Sequence, residues 1–140
     1  MGAFITHGSG IISKGLEYTV ALSAYFNVFV KSRDSWQVGR ESDYVEDEAC
    51  DIVESLLKYM DRKEYDVYGT EDVIKTDGGY NIVVVVNFKI FVVDFDVDEA
   101  YNKAVDVVDD LELPDNVKIT LIKQTKLVEV GEPVYMVVGE

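Results

Sequence analysis

The segment Asp94-Phe95-Asp96-Val97-Asp98-Glu99 has the residue types and the spacing best suited to chemistry in this chain. Acids two residues apart, placed after an apolar stretch, could hold a divalent cation through oxygen ligands. The same acids also suit the first turn of a helix, where Asp96 can cap the backbone and Glu99 stands three residues further on. We expect the capping role and no metal at this segment.

The same segment resembles the first motif of the haloacid-dehalogenase phosphatases, an apolar strand followed by D-x-D-x-[TV]. In that pattern Asp94 would be the nucleophile and Asp96 the general acid. The family builds a large parallel sheet after this strand, and too few residues follow Asp94 to form one. We therefore expect no phosphatase here.

The chain has one histidine, His7, and one cysteine, Cys50. The segment His7-Gly8-Ser9-Gly10 lacks the lysine and the preceding strand that a phosphate-binding loop requires. Cys50 stands among acids beside the apolar stripe of a predicted helix, so the pKa of its thiol should be raised and its reactivity low. A single cysteine provides neither a disulfide framework nor a zinc site. We expect a cytoplasmic protein with no cofactor and no enzymatic activity.

The net charge of the chain indicates which classes of partner it can bind. The net charge of the 140 residues is −14, from 27 acids and 13 bases. Nucleic acids and anionic membranes are bound by clustered lysines and arginines, so we expect no direct nucleic acid binding and no membrane binding. A field of this sign attracts basic protein partners instead.

Two long stretches, residues 16–30 and residues 80–95, alternate apolar and polar side chains, which is typical of strands. The second would span about 50 Å at about 3.3 Å per residue, so we expect a bend or a bulge in it. Residues 64–76 predict a weaker edge strand, and Asp77-Gly78-Gly79 predicts the hairpin turn that follows it.

Apolar residues at steps of three and four predict two helices. Asp43 should cap the start of the first, with Val45 and Ala49 on its buried side. The second should follow the Asp96 cap and stop before Pro114. Residues 117–130 predict a further strand with a bulge near residues 123–126, and a short last strand should follow.

The order strand, helix, strand, strand, helix, strand contains two similar halves and resembles the ferredoxin-like plait (βαββαβ). We therefore predict one α+β domain, in which an antiparallel sheet carries two acidic helices on one face. Residues 1–15 would be an irregular lead-in, residues 16–130 the plait core and residues 131–140 a C-terminal strand. This architecture hosts many functions and assigns none.

The other face of the sheet should carry the apolar side chains of Tyr25, Phe29, Phe91 and Val93. A patch of this kind needs a cover. Either the terminal segments of the chain or a second copy of the chain in a homodimer could cover it.

The acids are concentrated in the two predicted helices. Residues 41–54 hold seven acids and no base, and residues 94–112 hold eight acids and one base, Lys103. If both helices lie on one face, their outer sides form a broad negative surface with carboxylates at spacings comparable with DNA phosphates. Small acidic phage proteins that inhibit restriction, CRISPR or transcription by DNA mimicry are similar in size and charge.

We therefore expect a non-enzymatic acidic binding protein that docks on a basic or nucleic-acid-binding protein, as a DNA-mimic inhibitor of the phage type. The expected partner-binding acids share an outward position on the two helices and are Glu46, Asp47, Asp51, Glu54, Asp98, Asp106 and Asp109. The alternative is a regulatory homodimer that binds a small ligand on the sheet face or a divalent metal at residues 94–99.

Overall fold

The computed structural model describes residues 11–33, 36, 39–58, 63–126 and 128–138. These residues form one five-stranded antiparallel sheet and two helices, an α+β arrangement. In chain order the elements are β1 (Ile11–Lys31), α1 (Glu41–Leu57), β2 (Lys63–Thr76), β3 (Gly79–Asp94), α2 (Val97–Asp109), β4 (Val117–Gln124) and β5 (Glu129–Val138).

The two central strands, β1 and β3, pair without interruption from Leu16–Asp94 to Lys31–Gly79. Strand β2 lies outside β3, as the edge position predicted for it requires, and β4 lies outside β1. Strand β3 has no bulge in its pairing with β1, so that form of the expected irregularity is wrong. The register shifts instead where the outer strands pair with the centre, twice between β2 and β3, once between β4 and β1 and once between β5 and β1. Long strands remain regular here because each has a partner on both sides.

One edge of β1 is shared by two strands. Strand β4 pairs with the Leu22–Val28 part of β1, and β5 pairs with the Ile11–Thr19 part. Three expectations are corrected by this arrangement. Residues 11–15 belong to a strand rather than to an irregular lead-in, and the last strand is ten residues long. Residues 117–130 are not one bulged strand, because β4 ends at Gln124 and β5 begins at Glu129. At the break between β4 and β5, the Thr125 N–H donates to the Ala21 carbonyl at 3.1 Å.

The hydrophobic core lies between the helices and one face of the sheet. The even-numbered residues of β1 from Tyr18 to Val30 and of β3 from Ile82 to Val92 are buried. The alanines Ala49, Ala100 and Ala104 are fully buried on the helices and allow them to approach the sheet closely. Phe26 and Phe88 meet at a ring-centroid distance of 6.5 Å in the middle of this face.

The ends of the two helices differ in how they are fixed. The predicted Asp43 cap of α1 is wrong, because α1 begins at Glu41 and no side chain caps it. Trp36 instead packs in parallel on Tyr44, with ring centroids 6.0 Å apart. The predicted cap of α2 is confirmed, since Asp96 Oδ1 accepts the Glu99 N–H at 2.8 Å. Neither described helix is long and apolar enough to cross a membrane.

The hairpin between β2 and β3 depends on two glycines. Gly78 has a φ of 78°, a conformation that side chains with a Cβ rarely adopt. A Cβ on Gly79 would lie 2.3 Å from the Val30 carbonyl oxygen, so only glycine lets β3 start this close to β1. The predicted turn at residues 77–79 is confirmed.

Phe88 and Phe91 lie on opposite faces of β3 and provide a matched test of where the core is. Phe88 is 1% exposed and Phe91 is 41% exposed. We predict that Phe88→Ala lowers the free energy of unfolding by about 3–5 kcal/mol, because it removes buried apolar area and leaves a cavity. Phe91→Ala should cost less than about 1 kcal/mol in the same denaturant titration. Equal costs would contradict a core restricted to the helix side.

Candidate binding surface on the two helices

Helix α1 places its acids opposite its buried stripe. Val45, Ala49, Val53 and Leu57 face the core. On the remaining surface Asp47, Asp51 and Glu54 are exposed, and Glu46 is half-buried. Three of the four acids predicted for this helix therefore reach solvent fully, with spacings of one helical turn, about 5.4 Å.

Helix α2 repeats the pattern with a narrower buried stripe of Ala100, Ala104 and Val108. All three acids predicted for it, Asp98, Asp106 and Asp109, are exposed. The stripe is narrow because alanine buries little surface, so most of the circumference of α2 remains in contact with water.

Both helices lie on one face of the sheet. Helix α1 packs on β1, β2 and β3, and α2 packs on β1 and β3. Within the described residues, each helix contacts the sheet much more closely than it contacts the other helix. The acids therefore form two ridges on the same side of the molecule rather than one closely packed layer.

The bases near the helices are already engaged. Arg33 pairs with Glu48, Arg40 Nε lies 3.5 Å from Asp43, and Lys103 Nζ lies 2.6 Å from Asp94. These are the ion pairs found among the described residues. None of the seven predicted acids takes part in these three pairs.

The last turn of α2 carries negative charge at the unfavourable end of the helix dipole. Asp106 and Asp109 lie in that turn, Asp110 follows it, and the turn contains no base. Acids at a helix C-terminus repel the partial negative charge of the free carbonyl groups, at a cost of a few tenths of a kcal/mol each. Their stability cost makes a structural role a poor explanation for these acids.

Asp94, the first acid of the segment that could have held a cation, is buried and has its own partners. Its Oδ1 accepts the Phe95 N–H at 2.6 Å, and its Oδ2 faces the Lys103 ammonium. The hydrogen bond from Lys103 lowers the pKa of Asp94, against the opposing effect of burial. The charge of Asp94 is thus balanced within the fold. No group of three or more His, Cys, Asp or Glu side chains in the described part of the chain could hold a metal.

Cys50 lies half-buried on α1 among the predicted acids. Burial raises the pKa of its thiol, and the negative charges of Glu54, Asp47 and Asp51 raise it further. The expectation of an unreactive thiol is consistent with this environment, since the thiolate is the reactive form. His7 and the glycine-rich segment around it lie outside the described residues.

The sheet face opposite the helices, where the alternative function would bind a small ligand, holds a cavity of about 470 Å³. Ala21 and Asn87 of the central strands line its middle, with Glu64 and Asp66 of β2 on one side and Lys126 on the other. Next to it the Ser23 hydroxyl donates to Asn87 Oδ1 at 2.5 Å. The sequence signal was the small size of Ala21 and Ser23 in a strand of otherwise large residues.

Comparison of the chain with protein families, with curated proteins and with solved structures gives no match.

The Asp94–Lys103 pair should make stability depend on pH in the acid range. Because folding lowers the pKa of Asp94, the pair stabilises the fold above the unfolded-state pKa of about 3.9 and loses this effect as pH falls further. We predict that Asp94→Asn costs about 1.5–3 kcal/mol at neutral pH and flattens the acid limb of the free energy of unfolding.

Lys103→Met should cost more than Asp94→Asn, because it leaves a buried carboxylate without its counter-ion. Lys75→Met, at an exposed lysine of β2, is the matched control and should be nearly neutral. A Lys103→Met variant as stable as this control would show that the ion pair contributes nothing.

Proposed function

We propose that this protein is a non-enzymatic binding protein that docks on a basic or nucleic-acid-binding protein through the outer faces of α1 and α2. The observation that carries the proposal is the set of exposed helical acids that take part in no ion pair among the described residues, next to Arg33, Arg40 and Lys103, which are each paired with another acid. Uncompensated charge on rigid elements is available to a partner at little ordering cost.

The regular spacing of these acids favours a partner that normally binds DNA. Asp47 and Asp51 are one turn apart on α1, and Asp106 and Asp109 are one turn apart on α2. Carboxylates held about 5–6 Å apart on two rigid ridges present negative charge at intervals similar to those of a phosphate backbone. A protein surface that accepts duplex DNA could accept these ridges in its place, which is the physical basis of inhibition by DNA mimicry.

Exposed apolar side chains at the start of α2 could add affinity to this charge. Phe95 is 48% exposed and Val97 is 44% exposed, beside the acid Asp98. Stable interfaces have an apolar centre with a polar rim, and charge alone mainly accelerates association. We infer that this end of α2 lies near the centre of the contact.

We also propose that the sheet and its two helices form a ferredoxin-like plait. Strand β3 lies between β1 and β2, and β1 lies between β3 and β4. Each half is therefore a split βαβ unit that receives a strand of the other half. Strand β5 is an addition along the free part of β1.

Charge reversal on α1 tests the docking surface. We predict that Asp47→Lys/Asp51→Lys weakens binding of the partner captured from a bacterial lysate by about ten-fold or more and flattens its salt dependence. The measurement is the affinity of that purified partner over a salt series. Duplex DNA should compete with wild-type protein for it.

The matched control is Asp77→Lys/Asp115→Lys, which changes the net charge equally at exposed positions off the helices. This variant should retain most of the binding. Equal losses in both variants would mean that only net charge matters, and no loss in either would place the docking surface elsewhere. If duplex DNA failed to compete, DNA mimicry would be excluded, but the proposed docking surface would not.

A second candidate function, regulation by a small ligand, rests on the cavity of the sheet face. Its volume of about 470 Å³ falls in the range of small-molecule sites. It is lined by Glu64 and Asp66 on the β2 side, where Lys89 of β3 lies next to Glu64, and by Lys126 on the far side. A lining of both signs suits a zwitterion such as a free amino acid, whose ammonium and carboxylate would face opposite walls.

A thermal-shift survey with free amino acids tests this second function. We predict that at least one of them raises the melting temperature of the wild-type protein, because a ligand of the folded state stabilises it. The shift should disappear in Lys126→Gln and persist in Lys75→Gln, an exposed lysine outside the cavity. No shift with any amino acid would remove this candidate.

A further inference from the structure

The sheet face that points away from the helices, called here the open face, consists of aligned cross-strand rows. One row runs Asp66, Asn87, Ser23, Lys123 from β2 to β4. The next row lies two residues further along β1 and β3 and consists of Gly69, Val85, Tyr25 and Leu121. The third row lies two residues beyond that and consists of Glu71, Val83, Asn27 and Lys118. The two outer rows each begin with an acid on β2 and end with a lysine on β4.

The acid and the lysine of one row cannot reach each other within the chain. Three strand spacings separate β2 from β4, about 15 Å between backbones. None of the ion pairs among the described residues involves Asp66, Glu71, Lys118 or Lys123. Lys123 lies over the Tyr25 ring, 4.9 Å from its centroid. The acids of the open face therefore lie on its β2 edge and the lysines on its β4 edge, although the Glu71 carboxylate still attracts the Lys123 ammonium across the face.

A two-fold axis that is parallel to the strands and passes between β1 and β3 would bring these edges together in pairs. Such a rotation places β2 of one copy over β4 of the other and preserves the height of each row. Glu71 would then face Lys118 of the second copy, and Asp66 would face its Lys123. An axis across the strands would place β2 over β2 and oppose acid to acid.

The middle row fits the same axis by shape. Leu121 is 49% exposed at the β4 end, and Gly69 at the β2 end has nothing within 4 Å of the place a Cβ would occupy. The rotation places each Leu121 over the Gly69 of the other copy. Tyr25 is half-buried and Val85 is only 5% exposed, so Leu121 provides most of the apolar contact between the two rows of charge pairs.

We propose that the open face is a homodimer interface, in which two copies of this chain pack face to face about that axis. The four strands lie side by side only over Leu22–Val28 of β1, about 20 Å, so at a width of about 15 Å the three rows give a footprint of about 300 Å² per copy, and the rest of the contact comes from the three-stranded parts of the face. Stable dimers bury about 800 Å² per partner. The acidic helices point away from this interface, so the net charge of the chain does not oppose it locally.

The proposal does not depend on the function of the helices, and charge-swap variants test it. The measurement is sedimentation of the full chain over a range of concentrations. Wild-type protein should be dimeric. Glu71→Lys and Lys118→Glu should each raise the dissociation constant about 10- to 100-fold, because each places two like-charge pairs in the dimer. Glu112→Lys, at an exposed acid off the sheet, should leave the dimer unchanged.

Mixing the two single variants should restore association, because every row in the heterodimer again pairs an acid with a lysine. The double variant Glu71→Lys/Lys118→Glu should also form dimers. Monomeric wild-type protein would overturn the proposal. Dimeric single variants would place the interface on another face, and single variants that remain monomeric after mixing would exclude this axis.

A variant without a charge change provides an independent test. Gly69→Val fills the space expected to receive Leu121, so it should weaken the dimer about ten-fold or more. The isolated chain should be at least as stable as wild type in denaturant, because valine favours a strand more than glycine does. A Gly69→Val protein that dimerises like wild type would contradict the predicted contact.

Discussion

The uninterrupted antiparallel pairing of β1 with β3 is the constraint on which the rest of the structure depends. Because side chains alternate along a strand, this pairing commits every even residue of both strands to one face. Helices α1 and α2 cover that face and pack on it through alanines. A shift of one residue in the pairing would exchange the core for the open face, so the register determines both surfaces of the molecule.

The two surfaces differ in the arrangement of charge rather than in its amount alone. The helix side carries acids in excess, and the nearby bases Arg33, Arg40 and Lys103 form ion pairs with Glu48, Asp43 and Asp94. The open face keeps acids on β2 and lysines on β4. A surface of one sign suits a partner of the opposite sign, whereas a surface with both signs at opposite edges can pair with itself. One chain can thus present one side to its own copy and the other to a different protein.

Local patterns were sufficient to predict the strands and helices from the sequence. Alternation located β1 and β3, and the Asp96 cap was predictable because it needs only residues three apart. Features set by distant residues were not predictable. The first residues of β1 are a strand because β5 pairs with them, and Lys103 meets Asp94 because α2 lies over the end of β3. The acids of the candidate site could be named from helical periodicity, but the separation of the two ridges and the rows of the open face depend on tertiary packing and register.

Carboxyl-group footprinting of the isolated protein tests most directly the claim that the two faces have different roles. A carbodiimide and an amine label accessible carboxylates, and mass spectrometry reads the rate at each residue. We expect rapid labelling of Asp47, Asp51 and Asp98, and slow labelling of Asp66 and Glu71 at concentrations where the chain is dimeric. Slow labelling of the helix acids together with rapid labelling of Asp66 and Glu71 would contradict that claim, because the chain would then cover its helices and leave its sheet open.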